Sequence, residues 1–205
     1  MPQTQRGYDI YELLSALQKD IRRGNEYQAL FWAVELEGFN SKMLWYRLQV
    51  IASEDIGMAN PFAPLLNDVL ERKYDDARKQ NTDSYRLFLT HAVLFLVRSS
   101  KSRIVDDLLN VVYGEIQLED KKLPIPDYAL DMHTHRGRKL GRSYEHFFSE
   151  GCKLKNEPFE NPYTEKAKAM LIKYGGLKSP FKKEKKIIQK KVVQKHLVET
   201  SMLIE

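Results

Sequence analysis

The sequence predicts an all-α fold, a helical array followed by an irregular C-terminal region, and three observations carry that reading. Apolar residues recur at spacings of three and four in one segment after another up to about residue 120. Glycine, asparagine or proline stands at the ends of those segments. No useful length of that region alternates with period two, as a half-buried strand would.

Ile10, Leu13, Leu14, Leu17 and Ile21 make the stripe of a first helix, closed by Gly24. Asn25 with Gln28 has the form of a capping box for a second, whose predicted inner face is Tyr27, Leu30, Phe31 and Val34 and which Gly38 ends. Asn40 or Ser41 starts a third, running through Leu44, Leu48, Ile51 and Ala52 into the stretch VIASEDIGMANP. Asn60 and Pro61 read as the cap and first residue of a fourth, with Phe62, Leu65, Leu66, Val69, Leu70 and Tyr74 at helical spacing. SYRLFLTHAVLFLVRSS is apolar nearly all round, which predicts a central buried helix and makes His91 a hydrogen-bonded core histidine. Ile104, Val105, Leu108, Leu109, Val112 and Ile116 make a sixth helix. Prolines, glycines and clustered basic residues mark 121–163 as irregular, and a short helix from Thr164 to Tyr174 stops at Gly175 and Gly176.

Composition bounds the function. With 205 residues, 42% hydrophobic and 30% charged, the chain suits one core with an appendage. No apolar run approaches the roughly 20 residues of a membrane helix, and MPQTQRGYDI has no apolar signal core, so a cytoplasmic location is predicted, at the nucleoid if the source is bacterial. The lone Cys152 excludes an intramolecular disulfide and a multi-cysteine zinc site. Basic and acidic residues balance at 25 each over residues 1–177, and the whole excess of +5 falls in 178–205, with eight lysines and three glutamates. The predicted division is therefore a helical domain over 1–177 and a lysine-rich tail over 178–205. The tail's apolar pairs recur every five residues, a period that matches neither helix nor strand.

Two stretches carry candidate chemistry. Glu54 and Asp55 are adjacent, so on a helix they point about 100° apart and do not converge on one small site; a helix end with an ion network to a neighbouring helix is the predicted role. In DMHTHRGRKLGRSYEHFF, His133, His135 and His146 with Asp127 or Asp131 offer metal-ligand types, but Arg136, Arg138, Lys139 and Arg142 would repel a cation, and no metal or other cofactor is predicted. The same four cations beside Tyr144, Phe147 and Phe148 suit a nucleic-acid contact, extended by Lys182, Lys183, Lys185 and Lys186. The competing reading is a solvated basic loop over packed aromatics. Cys152 has no convincing catalytic partner beyond the distant His146. No G-x-x-x-x-G-K-[ST] loop is present, and GGLKSP does not substitute for one, so this chain by itself is not predicted to hydrolyse ATP.

SALQKDIRRGNEYQALFWAVELE followed by LWYRLQVIASEDIGMANP resembles the C-terminal helical region of the replication-associated recombination protein A family of clamp-loader-like AAA+ ATPases, whose eukaryotic relative is the Werner-helicase-interacting protein. The match runs through Ser15, Ala16, Lys19, Gly24, Ala29, Leu30 and Trp32, then Arg47, Leu48, Ala52, Ser53, Glu54, Asp55, Ile56, Gly57, Ala59 and Pro61. Ser100–Ser102, IPDYALD and KLG are weaker echoes. The resemblance implies a clamp-loader-collar-like domain that assembles into a homotetramer, with Arg47, Ser53, Glu54, Asp55, Gly57 and Pro61 as a structural signature. It also implies an oligomerisation and interaction module of DNA replication, recombination or repair. Its partners would be DNA, a replication-fork protein or a separate AAA+ ATPase, and Phe31, Trp32, Trp45 and Tyr46 are candidate contacts between subunits. The alternative is a nucleic-acid-binding protein that uses the 136–142 loop and the tail. The family's ATPase and lid domains, expected ahead of residue 8, are not in this sequence; THRGRKLGRSYEHFFSEG and the tail depart from the family pattern.

Overall fold

Asp9 starts the first helix, α1 (Ile10–Arg23), by accepting hydrogen bonds from the amides of Tyr11 and Glu12. Gly24, at φ 83°, ends it in the left-handed conformation that glycine adopts most easily. This computed structural model describes residues 2–176. The described residues are helical, turn or irregular, with one isolated bridge between Gln3 and Asp9, so the fold is all-α. Contacts divide the described residues into two compact units, one ending at Lys122 and the other beginning at Leu123. The tail lysines Lys182, Lys183, Lys185 and Lys186 lie outside the described residues.

In the first unit all five predicted stripe residues of α1 are buried. α2 (Glu26–Ile51) continues past Gly38 but breaks at Asn40, whose φ of −159° and ψ of 99° are not helical. The Asn40 side chain accepts from the Met43 amide at 3.0 Å, so the predicted restart is present as a kink with its own cap. Two details of α2 differ from expectation. Asn25 makes no side-chain cap and instead donates to Asp20 at 2.8 Å. The inner face of the first half is Ala29, Ala33 and Leu36, while Tyr27 and Val34 face solvent. Small residues let neighbouring helices approach closely, and hydrophobicity alone did not find them.

A wide π-type turn, Ala52–Ile56, and a short 3-10 turn, Gly57–Ala59, carry the chain out of α2. α3 (Ala63–Lys79) begins two residues later than expected: Asn60 accepts from the Phe62 amide, Pro61 precedes the helix, and Pro64 occupies its first turn. Tyr74 of α3 is buried against Trp45, and its hydroxyl donates to Glu37 at 2.7 Å. Burial, reinforced by that carboxylate, pushes the phenol well above its ordinary range.

α4 (Ser84–Arg98) buries Leu89, Ala92, Val93, Leu96 and Val97 on one face only. Its other face, including His91, is open, which corrects the reading of a helix buried all round with a core histidine. α5 (Ile104–Glu119) buries none of its residues, although its sequence predicts an apolar inward stripe.

The second unit is built from short elements. Thr134 caps α6 (His135–Lys139) by accepting from Gly137 N at 2.9 Å, and Ser143 caps α7 (Tyr144–His146) through Glu145 N. A π-type turn over Phe147–Gly151 follows, and α8 (Thr164–Tyr174) lies where the sequence places it, closed by Gly175. Gly137 is buried so closely that a Cβ there would sit 1.8 Å from the Asp131 carbonyl oxygen, which no side chain tolerates. Among the described residues, no helix is long and apolar enough to cross a membrane.

Candidate functional site

The acidic corner follows from the way α2 ends. Unwinding through Ala52–Ile56 turns Asp55 inward, where it is fully buried, and leaves Glu54 at the rim. Arg22 of α1 donates to Asp55 Oδ1 through Nε at 2.6 Å, and Gln18, one turn earlier, donates to Oδ2 at 2.9 Å. Arg103, just before α5, reaches Glu54 at 3.1 Å and Asp55 at 3.4 Å, and also pairs with Asp106. The hydrogen bond to Glu54 foremost raises the Arg103 guanidinium above its ordinary pKa. The Asp55 carbonyl accepts from Ser102 N at 2.9 Å. One buried carboxylate, accepting from Gln18, Arg22 and Arg103, thus ties α1 to the segment between α4 and α5.

Nearby groups complete this corner. Arg47 Nη1 donates to Gln18 Oε1 at 3.1 Å, holding the amide so that its nitrogen faces Asp55. Lys101 donates to the carbonyls of Leu96, Val97 and Ser99 and so caps the end of α4. Burial lowers its pKa, opposed by the field of Asp55. Gly57 takes φ 45°, and a Cβ there would lie 2.9 Å from Val105 Cγ2. The arrangement holds both acids in ion pairs with Arg22 and Arg103, which ties α1 to the segment before α5. Sequence reasoning named Glu54, Asp55, Gly57 and Arg47 but missed Gln18, Arg22 and Arg103. The available signal was Gln18 and Arg22 at i and i+4 beside the buried Leu17 and Ile21, a polar edge adjoining an apolar stripe.

The apolar surfaces come next. α5 exposes Ile104, Val105, Leu108, Leu109, Val111, Val112, Tyr113, Ile116 and Leu118 at 38–86% of their area. Tyr46, with 72% of its surface open, joins Val105 and Leu109 around a hollow of about 320 Å³ between α2 and α5. A second groove, of about 650 Å³, runs along the open face of α4 between Leu87, His91, Leu94, Phe95, Arg98 and the Asn60 side chain. Of the candidate contacts, Tyr46 is exposed, while Phe31 and Trp32 are half-buried edge to face and Trp32 donates to Asp20 at 2.8 Å. Trp45 is a core residue, so its ring holds α2 to α3 and does not reach a surface.

In the second unit the four basic loop residues differ. Arg138 donates to the carbonyls of Met132 and His133, and Arg142 pairs with Asp127 at 2.7 Å. Arg136 and Lys139 are exposed and form no ion pair among the described residues. Phe147 packs against His133 and Phe148, and Tyr144 stacks on Phe148. His133 is bound to Asp131 at 3.1 Å, a contact that, with a backbone hydrogen bond from the same residue, holds the Asp131 carboxyl below its ordinary range. The ring nitrogens of His146 make no hydrogen bond among the described residues, and Nε2 lies 3.6 Å from Asp127. Among the described residues, no three His, Cys, Asp or Glu side chains are arranged to hold a metal ion.

With this geometry in place, comparison with known proteins is decisive. Residues 25–192 match the family described as MgsA AAA+ ATPase C terminal. The chain belongs to that family. The matched span includes Glu54, Asp55 and Arg103 of the acidic corner, α4, α5 and the 136–142 loop, while Gln18 and Arg22 of α1 lie just ahead of it. The chain is 30% identical over 166 residues to replication-associated recombination protein A of Bacillus subtilis, covering 74% of this chain and 38% of the relative. It is 28% identical over 149 residues to the protein of that name from Coxiella burnetii, covering 71% and 33%. It is 27% identical over 151 residues to the one from Haemophilus influenzae, covering 70% and 32%. The chain spans about a third of the length of these relatives.

Proposed function

We propose that this protein is an oligomerisation and interaction module acting in DNA replication, recombination or repair, assembling as a homotetramer in the cytoplasm. One observation carries the reading: α5 bears large apolar residues over more than half of its circumference, with Asp106, Asn110 and Gln117 on the remaining side, and leaves them in solvent. A helix of this kind is unfavourable in a monomer and becomes favourable when a partner covers it. The family membership and the names of the relatives supply the setting, and the all-α array of the first unit supplies a rigid scaffold. The acidic corner fits this role because it fixes where α5 leaves the body. The module itself performs no ATP hydrolysis; its partners are further copies, a fork protein, or an AAA+ ATPase.

Light scattering on a sizing column at low and high salt tests the reading. A tetramer at both ionic strengths supports it, and a monomer over the accessible concentration range rejects it.

A second reading, contact with nucleic acid, rests on Arg136 and Lys139, which stand exposed without an acidic partner among the described residues. It predicts single-strand affinity that falls with salt, each phosphate contact adding about 0.7 to the logarithmic slope. Affinity indifferent to salt excludes it.

A further inference from the structure

Two bare apolar faces of the first unit, those of α4 and α5, belong to helices of opposite charge. α4 carries Arg86, His91 and Arg98 and no acidic residue, whereas α5 carries Asp106, Asp107, Glu115 and Glu119 and no basic one. We infer that subunits join head to tail, with the acidic apolar helix α5 of one copy lying in the α4 groove of the next. This rests on the oligomerisation reading above and specifies its contact.

The dimensions agree. Arg86 and Arg98 are twelve positions apart on α4, and Asp107 and Glu119 are twelve apart on α5, so each pair spans about 18 Å of helix. Whichever way the helices run, both ends of one meet charges of opposite sign on the other. Arg98 holds Glu26 through Nε and Nη2, leaving Nη1 free of a partner; Arg86 uses Nε and Nη1, leaving Nη2. Asp107 and Glu119 form no ion pair among the described residues. Between the charges, Leu108, Val111 and Leu118 share a face of α5, and Leu87, Leu94 and Phe95 line the groove.

The self-symmetric alternatives suffer from charge. Pairing α5 with α5 sets four acids against four with no base on either helix, and pairing α4 with α4 gathers arginines. A head-to-tail contact repeats until a rotation closes it, which gives a ring.

The test uses two variants of the full chain at exposed positions: Leu87→Glu in the groove (67% exposed) and Leu108→Lys on α5 (61% exposed). Circular dichroism confirms that each folds, and His91→Glu serves as a second groove variant. Light scattering should find the wild type assembled and each variant alone monomeric. An equimolar mixture should give a species of twice the chain mass, because the intact α5 of the Leu87 variant docks in the intact groove of the Leu108 variant and growth stops there. If the groove variants assemble like the wild type, or the mixture stays monomeric, the head-to-tail contact is wrong while the oligomerisation reading survives. A wild type that is itself monomeric overturns both.

Discussion

α1 and α5 look alike in sequence and differ in the folded chain. Each is about four turns long with large aliphatic residues at helical spacing, yet the α1 stripe is 0–7% exposed and the apolar residues of α5 are 38–86% exposed. α1 has an aspartate cap, whereas Arg103 at the start of α5 makes no capping hydrogen bond. The comparison teaches that an apolar stripe states how much surface must be covered and leaves open which chain covers it. α1 is completed within its own unit; α5 is not.

The largest expected effect sits where the two helices are joined. Asp55→Ala removes the fully buried one of the two acids that Arg22 and Arg103 share and should destabilise the first unit by about 4 kcal/mol in denaturant unfolding. A loss under about 1 kcal/mol would mean that the corner does not tie α1 to α5. Next, Leu17→Ala in α1 should cost about 3 kcal/mol, because the fully buried side chain leaves a cavity. Asp9→Ala should cost about 1 kcal/mol through the lost cap. Leu108→Ala, measured at a dilution where the chain is monomeric, should change stability by less than about 0.5 kcal/mol. If it costs as much as Leu17→Ala, α5 is packed within its own chain and the contrast collapses.

Legibility followed the same line. The α1 stripe was readable because one face is apolar and the other polar, leaving a single orientation. The Asn40 break was readable because Gly38 and a capping asparagine lie within three residues of each other. α4 was misread as buried all round because its two apolar faces are equivalent by composition, and packing chose one. The first half of α2 was misread because Ala29 and Ala33 give little signal, while Tyr27 and Val34 give much and face outward. At the corner, Glu54 and Asp55 stood out, but Arg22 lies 33 residues from Asp55 and Arg103 lies 48. Only the chain's path through three helices brings those cations together.

The break at Asn40 also determines where this architecture tolerates a change of length. A continuous helix of 26 residues would be about 39 Å long, and one inserted residue would turn everything beyond it by about 100°. Such a rotation would pull Leu44, Trp45 and Leu48 out of the core together. A joint that is already non-helical can absorb the insertion in its own dihedral angles and hand the next segment on in register. Loop residues added beside Asn40 should therefore leave the fold intact, whereas a single residue added near Ala33 or Leu48 should not.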